Sequence, residues 1–215
     1  MGVKELVKKS FVIINHLPFN NKFKGKTRIV NNGALLINCR IISQGTENSL
    51  ILEKGGVFRN CEFMFIGNKN TMKFGENFHA YDGSFYTEDD KNAIEVGDNS
   101  MFAGKIHIAC TESTKCTVGN GCLFSSEIVI RTGDSHSILS LSGERINPAK
   151  DVKISDRVWI GHRVLINKGV SIGSDSVVGT GAVVTKQFND TNVIIAGVPA
   201  KVVKRDIVWE EDKRA

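Results

Sequence analysis

The chain has 215 residues, 41% of them apolar and 24% charged, which suits one large domain or two small ones with a real core. A net charge of +5 is too small to argue for nucleic acid by itself, and no Lys/Arg tract interleaved with aromatics appears. The five cysteines are scattered without a C-x-x-C, and their odd count argues against a disulfide framework; they read as reduced, mostly buried thiols of a cytoplasmic protein.

Residues 1–25 form an N-terminal extension. Its start, MGVKELVKKSFVIINHLPF, has a few basic residues and a very short apolar stretch, without a convincing signal-peptide core or cleavage site. It reads as a short amphipathic helix, with membrane contact at most peripheral. No apolar run approaches 18 residues.

From residue 26 a repeat takes over. NSLILEKG, NTMKFGEN, NAIEVGDN and TKCTVGNG begin at 48, 70, 92 and 114, a spacing of 22. Between 154 and 184 the chain places Ile or Val every sixth residue: Ile154, Ile160, Ile166, Ile172, Val178, Val184. A period of six fits neither an amphipathic helix nor a plain alternating strand. It fits a solenoid whose flat faces are six residues long, three faces closing a triangle of about eighteen residues. Spacings of 22 are then one coil plus a four-residue bulge, and the bulges should stack along one edge.

Stepping by six places Val30, Leu36, Ile42; Leu52, Phe58, Met64; Phe74, Ala80, Tyr86; Val96, Phe102, Ile108; and Val118, Phe124, Ile130 inside, ahead of the six just named. The expectation is an all-β solenoid of about seven triangular coils over 26–186, roughly 34 Å long at the spacing of parallel strands.

Between Ile130 and Ile154 the step is 24 instead of six. The polar segment there, with Gly133, Gly143 and Pro148, predicts a projecting loop over about 131–153. At its base sits His136, the side-chain type best suited to proton transfer near neutral pH. Asp134 and Glu144 lie close in sequence and are placed to orient its imidazole. After Val184 the pattern stops. Residues 187–215 read as an extended segment, a turn at Pro199 and a short C-terminal helix over KVVKRDIVWEEDKR that caps the open coil.

The six-residue blocks, VWIG, VVGTGAVVTK and IIAGVPAKVVK resemble the hexapeptide-repeat acyltransferases, and within them the branch of galactoside and maltose acetyltransferases and capsule or O-antigen sugar O-acetyltransferases. The likeness is strong from about 118 to 205, and only the repeat supports it before residue 90. It implies a left-handed parallel β-helix, a handedness the usual crossover rule would not supply. It also implies a homotrimer with active sites between subunits, acetyl-CoA as co-substrate and a saccharide acceptor, with no metal.

The resemblance of T-G-D-S-H to the family's histidine segment makes His136 the general base; the family more often has T-G-H, D-G-H or D-x-H, so the Asp-Ser insertion departs slightly. Trp159 matches a tryptophan near the acetyl end of the cofactor, and His162 and Thr180 match positions along the pantetheine arm. Thr185, Lys186, Lys201 and Lys204 match positions that meet the phosphate-bearing end. Outward groups near Phe85, Tyr86 and His107, with Glu144 on the loop, are candidates to line an acceptor groove.

The function expected is O-acetylation of a sugar hydroxyl in capsule or lipopolysaccharide O-antigen biosynthesis, by direct transfer. Alternatives are an antibiotic O-acetyltransferase, a sugar N-acetyltransferase and a non-enzymatic scaffold. A γ-type carbonic anhydrase on the same fold needs a close histidine pair; the histidines here are 16, 79, 107, 136 and 162, with no H-x4-H.

Overall fold

A computed structural model, which describes residues 21–212, shows a three-sided prism of stacked coils. The first face is a seven-stranded parallel sheet of Arg28–Asn31, Ser49–Leu52, Thr71–Phe74, Ala93–Val96, Lys115–Val118, Val152–Ile154 and Ser171–Ile172. Leu52, Phe74, Val96, Val118, Ile154 and Ile172 stand in register down it, and all are buried. The second and third faces merge into one fifteen-stranded sheet, because Met101–Thr111 and Leu123–Arg131 run unbroken round the corner between them. Side chains alternate in and out along each strand, so a repeat of six returns the same inward position at every face. The interior is therefore a continuous apolar column, with Phe74 and Phe85 in edge contact at 4.7 Å and Phe102 stacked on Phe124 at 4.4 Å.

Four expected core positions are corrected. Val30 lies level with Ile51 and not with Leu52, so it is only half-buried. Ile42, Met64 and Tyr86 also lie half-buried on the outer surface, and Ile41, Phe63 and Phe85 fill the interior in their place. In the first three coils the corner before the third face is one residue shorter than in the fourth, where Phe85 comes level with Ile108. A one-residue slip turns a whole strand over. The sequence is apolar on both sides of the slip, so the periodicity did not reveal it. Phe85, expected to point outward, is a core residue.

The bulges do stack along one edge, between the third and first faces. Glu47, Lys69, Lys91 and Ser113 recur there with positive φ. Beneath them a buried ladder is closed by hydrogen bonds. The Asn70 N–H donates to Asn48 Oδ1 (2.9 Å), Asn92 N–H to Asn70 Oδ1 (2.8 Å) and Thr114 N–H to Asn92 Oδ1 (3.0 Å). Each bulge leaves a backbone donor inside the prism, and an amide side chain one coil earlier satisfies it. The five cysteines are buried and unbridged.

Both ends differ from expectation. Strand Lys22–Lys24 pairs with Arg40–Ile42, so the sheet begins within the segment assigned to the extension; the helix expected there falls largely on residues 1–20, outside the described residues. At the other end the core does not stop at Val184. Phe188 bridges to Ile172, and Ile195 comes level with Val178, so an eighth, partial coil is buried. The C-terminal helix is absent among the described residues. Ala200–Lys204 instead runs back antiparallel to Ile194–Gly197. That strand occupies the open sheet edge, and the β-branched pair Val202–Val203 suits it.

Candidate active site

The third-face strand ends at Arg131, and the chain leaves the prism through buried Thr132 and Gly133. A Cβ on Gly133 would stand 2.3 Å from Thr111 Cγ2, so only glycine permits so close an exit. The loop then makes a small hairpin: Leu139 bridges Arg145 antiparallel, and the Ser140 N–H donates to the Glu144 carbonyl at 2.8 Å. It returns where the Lys150 N–H donates to the Thr132 carbonyl (2.8 Å), and Val152 re-enters the first face.

Asn147 is the hub of this loop. It precedes Pro148, which holds it in extended backbone. Its buried amide donates from Nδ2 to Asp134 Oδ2 (2.9 Å) and to the His136 carbonyl (2.8 Å), while its Oδ1 accepts the Ile138 N–H (2.7 Å). The His136 N–H donates to the Asp134 carbonyl at 2.6 Å. Lys168, from the next coil, donates to Asp134 Oδ2 and to the Asn147 carbonyl (2.9 Å). The Lys168 ammonium and then the Asn147 amide hold the Asp134 carboxyl below its ordinary value. Arg145 forks onto Glu112 with bonds of 3.0 and 2.5 Å, which lowers the Glu112 carboxyl and ties the hairpin to the last bulge.

His136 thus lies in a crevice lined by Arg131, Gly133, Asp134, Ser135, Asn167 and Lys168. Asp134 turns its carboxylate to Lys168 and Asn147, and Glu144 stands exposed at the hairpin turn. Tyr86 shares a second, narrower crevice with Glu88, Arg131, Gly133 and Ser135, directly below on the third face. Burial first, then the charges of Glu88 and Asp89, raise its phenol. His107 is one coil nearer the loop, its Nδ1 3.2 Å from Ser84 Oγ; burial, then Arg131, lower its pKa.

The candidate cofactor residues fall on two separate edges. Thr185 and Lys186 line a groove with Lys150, Lys153 and Lys168 on the edge that carries the loop. His162 and Thr180 occupy the corner between the second and third faces, one face away, roughly 16–20 Å at strand rise. There His162 Nδ1 is 3.0 Å from both the Ser126 carbonyl and Ser126 Oγ. Trp159 projects from the second face, 40% exposed, with Trp209 at 6.2 Å. Lys201 and Lys204 lie on the returning strand beside that face. One chain therefore brings His136, Asp134, Thr185 and Lys186 to one edge, and does not bring Trp159, His162, Thr180, Lys201 or Lys204 to it.

The sequence reading missed Lys168, Asn147 and the Glu112–Arg145 pair. Only Lys168 had a usable signal: it lies one eighteen-residue coil before Lys186, so the two share an edge.

Comparison with known proteins agrees with this geometry. The family description "Bacterial transferase hexapeptide (six repeats)" matches residues 151–186. The chain is 35% identical to a polysialic acid O-acetyltransferase of Escherichia coli O1:K1 / APEC, over 49% of this chain and 34% of that protein. It is 32% identical to a putative lipopolysaccharide biosynthesis O-acetyl transferase, WbbJ, of Escherichia coli strain K12, over 61% of this chain and 70% of that protein. It spans between about one third and one half of the length of the curated polysialic acid and galactoside O-acetyltransferases it matches. The crystal structure of the polySia-specific acetyltransferase NeuO superposes with a TM-score of 0.83 at 29% identity, covering 91% of this chain and 89% of that one. With the prism, its repeat and these likenesses in hand, the chain belongs to the hexapeptide-repeat acyltransferases and has their left-handed parallel β-helix.

Proposed function

We propose that this chain is an O-acetyltransferase that moves an acetyl group from acetyl-CoA to the hydroxyl of a saccharide in capsule or lipopolysaccharide O-antigen synthesis. The observation that carries the reading is His136, exposed in a crevice at the base of the one long loop among the described residues, with its backbone held at both N–H and C=O. The relatives named as polysialic acid and lipopolysaccharide O-acetyltransferases support the acceptor class.

His136 takes the proton of the acceptor hydroxyl as the oxygen attacks the thioester carbonyl. The tetrahedral intermediate collapses, the C–S bond breaks, and the imidazolium returns its proton to the CoA thiolate. The five cysteines are buried, which favours direct transfer over an acyl-cysteine intermediate. The groove's Lys150, Lys153 and Lys186 offer a cationic bed for the phosphates of CoA.

The working unit in this reading is a homotrimer with each site between two copies. The split of the cofactor candidates over two edges supports it: the loop edge of one copy meets the second face of the next. So does an outward stripe on the second face, where Leu35, Val57, Met101, Leu123 and Trp159 fall in one line of register with His79 between them. The loop also presents Ile138, Leu139, Leu141 and Ile146 to the outside.

The test is thiol release from acetyl-CoA across a panel of sialic acid polymers, galactosides, O-antigen saccharides and chloramphenicol. His136→Ala should lower the rate at least about 100-fold while acetyl-CoA still raises the melting temperature. Near-wild-type turnover in that variant removes the base assigned here, and turnover of chloramphenicol alone would overturn the acceptor.

A further inference from the structure

Resting on the catalytic reading of His136, we propose that Asn147 and Lys168 are positioning residues, a clasp that fixes the loop backbone on either side of the imidazole. Neither touches the reacting atoms. Asn147 is buried on a loop whose other side chains are mostly exposed, and all the hydrogen-bonding capacity of its amide is used. One Nδ2 proton holds the His136 carbonyl at 2.8 Å; the other holds Asp134, whose own carbonyl takes the His136 N–H at 2.6 Å. The imidazole is thus carried by a peptide tied down at both ends.

Lys168 locks the arrangement to the prism. It comes from the coil that follows the loop, two residues after the end of the third-face strand Leu165–Ile166, and is therefore held close to that sheet. Its ammonium bridges the Asp134 carboxylate and the Asn147 carbonyl, drawing the two ends of the loop to one point. The charged groups around His136 are then Asp134 with Lys168, Arg131, which donates to Ser135 Oγ at 3.0 Å, and Arg145, forked on Glu112 and reaching Asn147 Oδ1 at 3.4 Å. Without the clasp the loop base retains the Arg145–Glu112 fork and the hairpin bridge, so it should stay folded while His136 drifts. A displacement near 1 Å at a reacting group costs on the order of 100-fold.

Three variants of the full chain separate positioning from folding and from the catalytic assignment itself. Asn147→Asp keeps the shape and the Ile138 bond but removes both donors and sets a carboxylate against Asp134. Lys168→Met removes the bridge, and Lys168→Arg keeps a cation there. For Asn147→Asp and Lys168→Met, kcat should fall about 10- to 100-fold with KM for acetyl-CoA within about threefold and the melting temperature nearly unchanged. Amide exchange in the peptide around His136 should accelerate in both, and Lys168→Arg should recover most of kcat. If His136→Ala is dead while Asn147→Asp and Lys168→Met turn over normally, the clasp is wrong and the base stands. Equal loss in Lys168→Arg and Lys168→Met, or a rise in KM matching the fall in kcat, also overturns it. If His136→Ala itself turns over normally, base and clasp fall together.

Discussion

Phe63 fills the prism with no exposed surface, in edge contact with Phe58 at 5.6 Å and Phe74 at 5.6 Å, while Met64 lies half-buried on the outside. The two residues are adjacent and both large, so they isolate the consequence of the short corner. Truncating Phe63 opens a void among aromatic rings that stacked coils cannot close. Phe63→Ala should cost about 3–5 kcal/mol, and Met64→Ala less than about 1 kcal/mol, in denaturant unfolding. Equal effects would mean the third face is turned the other way. A similar contrast applies at Gly67, with φ of 109°, where a Cβ would stand 2.3 Å from the Asp89 carbonyl oxygen of the next bulge. Gly67→Ala must push two coils apart, whereas Gly143, with nothing within 4 Å, has open space and only its φ of 85° to resist alanine.

The loop at 132–151 is the element that gives a regular prism its candidate site, and carboxylates hold its base. Both Glu112 and Asp134 have folded pKa values depressed by their cationic and amide partners, Arg145 first for Glu112 and Lys168 first for Asp134. A depressed acid binds fewer protons folded than unfolded. Its anchoring is therefore complete above the ordinary carboxylate value near 4 and is lost as pH falls through the lower folded value. Proteolysis within the loop, followed between about pH 5 and 2.5 with an acid-tolerant protease, should accelerate at the acid end while far-UV circular dichroism of the prism persists. Glu112→Gln should show part of that sensitivity already at neutral pH. An acid transition in which loop and strands are lost together would contradict a separately anchored loop.

The loop's existence and the place of His136 were legible in the sequence, because an interruption in a six-residue period is visible however polar the insert is. Its internal clasp was not: Asn147, Lys168 and Glu112 come from three coils, and nothing in local sequence tells which polar side chains meet. The terminal strand was misread for a related reason. KVVKRDIVWEED has both a helical distribution of charge and β-branched residues, and only the open sheet edge left by Ile194–Gly197 decides between them.

At the scale of the whole molecule, one chain leaves its chemistry divided. His136 and Lys186 stand on one edge, Trp159 on the second face, and the line from Leu35 through Val57, Met101 and Leu123 to Trp159 is half-exposed or exposed. In the proposed homotrimer each loop edge would meet a neighbour's second face, and mixing defective chains tests that arrangement directly. His136→Ala and Trp159→Ala proteins should each be nearly inactive alone. Coexpressed at equal levels, they should form mixed trimers in which a site is intact when the copy giving the histidine edge carries the Trp159 defect and its neighbour carries the His136 defect. Random assembly gives that pairing at about one site in four, so roughly a quarter of wild-type activity should return. Leu123→Glu places a charge within the stripe and should yield a monomer by light scattering, with circular dichroism retained and activity lost. If each chain held a complete site, every copy in the mixture would carry one defect and nothing would return above the two variants alone. Full activity in a monomeric Leu123→Glu protein would lead to the same conclusion by an independent route.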